Sequence, residues 1–231
     1  MAGGLHMIIY HGSDHLIKNP EYGKGELRND YGRGFYCTEN IELAKEWGAS
    51  QGEDGFANIY EFDNAKLKIL NLNSEEYDVL TWLAVLAKHR TYWQRHSIAE
   101  EAKNYLNDYF LVDVNKYDVI IGYRADDSYF SFAQDFISGA ISLRKLCMAM
   151  KLGKLGEQIV LKSKLSFERI KYISNEDAPA SIYYEKKVQR DKLARKKYRE
   201  HKITDDSIDD IYIIDIMREG MKPGDERLKW K

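Results

Sequence analysis

Short apolar runs with strand character recur along this chain without a helix between each pair, and that irregular order is what most restricts its fold. Met7–Tyr10, Ala57–Phe62, Lys66–Leu72, Tyr117–Gly122, Glu157–Leu161 and Ser166–Ile173 each combine β-branched or aromatic residues with nearby turn formers. Helical periodicity occupies Glu39–Ala49, Ser74–His89, Ser97–Tyr109 and Ser131–Lys151. In the first of these, Asn40 is placed to cap, and Leu43, Ala44 and Trp47 share a stripe. Strands that outnumber helices and are not strictly interleaved with them argue against a doubly wound parallel sheet and predict an α+β fold.

The chain has 231 residues, enough for one large domain with an appendage. The first six residues, Met1 to His6, carry neither a basic nor an apolar leader pattern and read as the remnant of an expression tag, with Met7 as the native start. Residues 7–174 form the expected domain. Asn175–Ala180 reads as a linker, and 175–231 as a charged, helical C-terminal extension. Cys37 and Cys147 provide no disulfide framework and no metal-ligand spacing, which fits a reducing cytoplasm. No run approaches the roughly 18 apolar residues of a membrane span, so no membrane partner is expected.

Three separated segments carry the chemistry. Tyr10-His11-Gly12-Ser13 offers a polar ring beside a glycine; Gly32-Arg33-Gly34-Phe35-Tyr36-Cys37-Thr38 is a glycine-rich turn bearing an aromatic plane; and Gly156-Glu157-Gln158-Ile159-Val160 brings a carboxylate into an apolar strand. Such parts suit holding a ribose, stacking a flat heterocycle and stabilising a developing positive charge. Each has a plainer reading: a histidine at a strand end is commonly structural, and Trp47 packs a helix. Glu157 points inward if Ile159 and Leu161 face the core. Alternatively Glu157 tops an exposed strand edge and Gln158 faces the cleft.

These segments resemble the ADP-ribosyltransferase superfamily. Gly32-Arg33-Gly34-Phe35-Tyr36 is similar to the Gly-Lys-Gly-Ile-Tyr of the poly(ADP-ribose) polymerases, His11-Gly12-Ser13 to their His-Gly-Ser, and Glu157-Gln158-Ile159-Val160 to their Glu-Tyr-Ile-Val. Within the superfamily, the chain most resembles bacterial toxin-like transferases encoded beside small antitoxins. The resemblance implies a split β-sandwich of two antiparallel sheets with NAD between them and no metal. It also implies that His11 binds a ribose hydroxyl, that Gly12, with Ser13 beside it, holds the nicotinamide amide by close backbone approach, and that Tyr36, in the turn with Gly34, stacks on the nicotinamide. The resemblance further implies that Trp47, eleven residues on, forms the opposite face and that Glu157 stabilises the oxocarbenium-like transition state. Ala44 stands where the polymerases carry a carboxamide-binding serine.

Asp126 and Asp127, beside Arg124, could serve as a general base for an acceptor, although turn capping is the commoner use of aspartates there. His89 and His96 lack further ligands at metal-binding spacing. In the extension, nine Lys/Arg between Lys186 and Lys202 face only Asp191 and Glu200. That run is either a solvated helix face or a surface for an acidic partner, protein or nucleic acid. Tyr212–Met217 is apolar enough to dock back on the domain. The expected function is transfer of ADP-ribose from NAD to a macromolecular acceptor by the toxin of a toxin–antitoxin pair. The alternatives are NAD hydrolysis and an inactive module that binds ADP-ribose or a nucleic-acid end.

Overall fold

A computed structural model describes residues 6–90, 97–125, 127–150, 156–203 and 207–229. The fold is α+β with two sheets. The first has the order β1 (His6–Ser13), β3 (Gly55–Asp63), β7 (Ile170–Ala178) and is wholly antiparallel. The second has the order β2 (Phe35–Cys37), β6 (Glu157–Leu161), β5 (Val119–Tyr123), β4 (Ile69–Asn71). It is mixed and not antiparallel throughout, because β4 lies parallel to β5. The chain between those two strands passes through α2 (Val79–His89) and α3 (Ser97–Tyr109), a crossover long enough to return it in the same direction.

The apolar residues sort by strand face. Ile9, Tyr60 and Phe62 of the first sheet meet Phe35, Cys37, Val119, Ile159 and Leu161 of the second. Ile120 and Val160 turn the other way, into a larger core built on Trp82 and the rest of α2, on α3, and on α4 (Asp127–Ile137) and α5 (Leu143–Ala149). Each fully buried Ile or Leu there contributes about 1.5–3 kcal/mol from burial alone.

Local side-chain chemistry sets several boundaries. Asn40 caps α1 (Ile41–Gly48) by accepting from the amides of Glu42 and Leu43 at 3.0 and 3.3 Å. Asp78 accepts from the Thr81 amide at 3.0 Å and starts α2 five residues later than the periodicity predicts. The expected helix 131–151 is two helices, broken where Gly139 takes φ +78° and Ser142 caps α5. Ser163 and Ser166 form a capping box, so the start of the expected strand 166–173 is the short helix α6 (Lys164–Glu168). Asn175–Ala178, expected as linker, instead completes β7 against Gly55–Asn58.

The basic extension forms α7 (Ala180–Ile203), and part of its charge is used internally. Arg190 grips the buried Glu46 carboxylate of α1 with two bonds, at 2.9 and 2.6 Å, and Lys186 pairs with Glu42 at 2.8 Å. Arg195 pairs with Asp191, while Lys192, Lys196, Lys197 and Arg199 stay exposed. Further along, Tyr198 donates to Asp135 at 2.6 Å and its ring packs on Phe132. α7 therefore spans from α1 to the helical core behind the second sheet. Tyr212–Met217 docks as expected: α8 (Ile213–Arg218) buries Ile213 and Ile216 completely. Among the described residues, no helix is long and apolar enough to cross a membrane.

Candidate functional site

Among the described residues, a single pair of backbone bonds joins the two sheets at their adjoining edges, where Tyr10 and Thr38 exchange amide and carbonyl at 2.8 and 2.9 Å. Beyond that bridge β1 and β2 part, and a cleft of about 590 Å³ opens between them. His11, Gly12, Gly34, Tyr36 and Trp47 of the expected site all line it, so the first two sequence segments do meet.

His11 spans the mouth of the split. Its Nδ1 lies 2.7 Å from the Tyr36 carbonyl oxygen, which can only accept; Nδ1 therefore carries the proton, and Nε2 is an acceptor. The ring stacks on Phe35 at 4.2 Å. Burial is the main cause that lowers its pKa from 6.5 to about 4, against the opposing effect of the Tyr36 bond, so His11 is a neutral hydrogen-bonding group at pH 7. Gly12 is required for a reason beyond ligand approach: a Cβ there would lie 1.9 Å from the Ala44 carbonyl oxygen, because the backbone of α1 rests on it. Ser13 does not line the cleft; its hydroxyl donates to the His15 carbonyl and accepts from Asn58.

The Tyr36 hydroxyl is fully engaged in its own turn, donating to the Gly32 carbonyl at 2.6 Å and accepting from the Tyr31 amide at 3.0 Å. Desolvation pushes its pKa well above the ordinary tyrosine value. Gly32 holds φ +73°, and Gly34 lies where a Cβ would strike Val160 at 2.6 Å, so both glycines serve the turn and its packing. Trp47 reaches the cleft, but the Arg124 guanidinium covers one face of its ring at 4.2 Å.

A group absent from the sequence reading organises the inner wall. Asp30, 4% exposed, accepts from Arg90 Nε at 2.9 Å on Oδ1, and from the Ala125 amide at 2.9 Å and Gln158 Nε2 at 2.8 Å on Oδ2. Arg90 closes the ring by donating through Nη2 to the Ala125 carbonyl at 2.9 Å. The loop before β2, the C-cap of α2, the loop after β5 and the start of β6 are thereby tied to one buried carboxylate.

Residues 7–172 match the family model described as Protein of unknown function (DUF3990). The chain belongs to the DUF3990 family. No curated protein and no solved structure matches it. The DUF3990 segment supplies every residue that lines the cleft apart from Lys187, which enters from α7.

The third segment also reaches the cleft of this DUF3990 chain, though not through the residue expected. Glu157 is exposed, does not line the cleft, and accepts from Asn73 at 2.8 Å across the end of the second sheet. Gln158, 3% exposed, lines it. Neighbouring strand residues point to opposite faces, and Ile159 and Leu161 occupy the core between the sheets. Glu157 lies beyond the end of that core, level with Tyr123, so sharing its face does not bring it into the cleft. Asp126 lies outside the described residues, as does His96; Asp127 opens α4. Around the cleft, with the Asp30–Arg90 pair set aside, Lys24, Arg124 and Lys187 outnumber the acid Glu21. Among the described residues, no group of three or more His, Cys, Asp or Glu is placed to hold a metal ion. Asp30 and Arg90, sixty residues apart, carry no local signal, and only the folded chain brings them together.

Proposed function

We propose that the cleft binds NAD and that the protein transfers its ADP-ribose unit to a macromolecular acceptor, releasing nicotinamide. The observation that supports this reading is convergence: His11, Tyr36 and Gln158, one from each of three distant segments, line a single cleft rich in arginine and lysine. Its size lies in the ordinary range for small-molecule sites. The aromatic surfaces of Phe35 and Tyr36 suit a flat nicotinamide, and Lys24, Arg124 and Lys187 suit a diphosphate. His11 Nε2 suits a ribose hydroxyl.

In the proposed reaction the bond between nicotinamide nitrogen and ribose carbon breaks, and its electron pair leaves with nicotinamide. A lone pair of the acceptor closes on the oxocarbenium carbon, and the acceptor's proton passes to solvent. Nothing is oxidised or reduced. The protein's part is to hold the ribose and to place negative dipoles where positive charge develops.

The test is nicotinamide release from NAD by the purified protein, followed by labelled ADP-ribose with cell extract as acceptor. Release together with label on protein or RNA is expected. Release without label on any macromolecule moves the reading to NAD hydrolysis; no release and no NAD binding overturns it. The toxin reading adds that expression arrests growth, and that Gln158→Ala relieves the arrest.

A further inference from the structure

Asp30 forms an ion pair with Arg90, and all three groups around it donate to its oxygens. The Gln158 side chain must therefore turn its NH2 toward Asp30, because the flipped amide would set Oε1 against Oδ2 at 2.8 Å. A side-chain amide otherwise has two nearly equivalent orientations; here a buried charge selects one. Its carbonyl oxygen then points away from Asp30, has no protein partner among the described residues, and belongs to a side chain lining the cleft. Asp30 cannot easily swing to meet a ligand itself, since Arg90 and the Ala125 backbone hold it from two sides.

We propose that the Gln158 carbonyl oxygen is the group this cleft presents to the ribose next to the breaking bond, and that Asp30 is the positioning residue that fixes it there. The ligand's identity rests on the NAD reading above; the orientation of the amide does not. A carbonyl dipole held in place serves two ends: it accepts a ribose hydroxyl and lies close to the carbon that becomes positive. This assigns to Gln158 the place expected for Glu157, with Asp30 supplying the fixed negative charge one bond further back.

Two measurements test it. The first needs no substrate: in 15N-labelled protein, the Gln158 side-chain NH2 resonances, assigned by their loss in Gln158→Ala, are expected well displaced from those of a free amide. Asp30→Asn should return them toward the free value. The second is nicotinamide release. Glu157→Gln should stay within about 3-fold of the parent, and Gln158→Ala should lose roughly 100-fold in kcat with a smaller change in KM. Asp30→Asn should lose about 30-fold or more. The double variant should be no slower than Gln158→Ala alone, because Asp30 acts through that amide.

Losses that multiply in the double variant, or resonances unmoved by Asp30→Asn, overturn the positioning role. A Glu157→Gln loss equal to that of Gln158→Ala overturns the assignment to Gln158, and that comparison holds even if Asp30→Asn fails to fold. A parent that neither binds NAD nor releases nicotinamide overturns the ribose contact together with the NAD reading, while the resonances still decide the orientation.

Discussion

Tyr36→Phe separates what the ring does from what the hydroxyl does. The hydroxyl accepts from the Tyr31 amide and donates to the Gly32 carbonyl, so removing it strips both backbone groups of a partner in a half-buried turn. Leaving such groups unpaired costs on the order of 1–3 kcal/mol. Because the site is partly accessible to water, about 2 kcal/mol is the working figure, and in a chain of this size that lowers Tm by roughly 4–8 °C. The ring itself remains, so NAD binding should survive, but the turn also carries Asp30, and its loosening should raise KM for NAD several-fold. Thermal melts and steady-state nicotinamide release on the parent, Phe and Ala proteins measure both effects; Ala should be far worse, since it also removes the plane. A Phe protein that melts within about 1 °C of the parent refutes the claim that the hydroxyl holds the turn. One that melts normally yet is as inactive as Ala shows that the hydroxyl meets the ligand directly.

Gly12→Ala should destabilise the protein by at least about 1–3 kcal/mol and impair NAD binding, because the obstructing atoms are α1 backbone and the helix that must shift carries Trp47; chemical denaturation and NAD titration check it. The depressed pKa of His11 predicts a pH effect of definite sign. The unfolded chain takes up the proton first as pH falls, so stability is drawn down between about pH 6.5 and pH 4, by at most about 3 kcal/mol. His11→Asn should flatten that part of the stability profile, and parallel curves would remove His11 as its cause. On α7, Arg190→Ala strands the Glu46 carboxylate, which is 3% exposed, and should cost about 3 kcal/mol while making α7 susceptible to limited proteolysis. Changing Lys192, Lys196 and Arg199 to Gln should leave stability within about 0.5 kcal/mol. It should abolish any salt-sensitive binding of an acidic partner, and unchanged binding at low and high salt would return the stripe to a solvated face.

What could be read from the sequence was what local chemistry decides. The Asn40 cap, the burial of Leu43 and Ala44 on α1, a strand within Tyr117–Gly122 that the structure starts at Val119, and the docking of Ile213 and Ile216 follow from capping and periodicity. Misread boundaries depend on partners that only the fold supplies. Ser166 suggests a strand start until it is seen to cap with Ser163, and Asn175–Ala178 looks like linker until Gly55–Asn58 pairs with it. The split between Glu157 and Gln158 could not be decided from alternation alone, because the strand reaches past the core it helps to build. Tyr36 was legible as an aromatic plane, but its hydroxyl's part in the turn was not. Asp30 sits in a polar loop among Gly23, Gly25 and Gly32, and nothing local distinguishes it from a surface acid.

The position of β7 constrains how the protein can be made. The first sheet is β1-β3-β7, with β3 in the middle; its second edge is filled only by Ile170–Ala178, after the chain has passed through every strand of the other sheet. On the ribosome, β3 can pair with β1 early, but its far edge stays open until more than a hundred further residues have emerged. Pairings so distant in sequence form slowly. α7, which carries Lys187 and the Arg190 grip on Glu46, emerges later still. The nascent chain thus cannot assemble the complete cleft until most of it has been translated, and until then the far side of β3 is an unpaired strand edge open to wrong pairing.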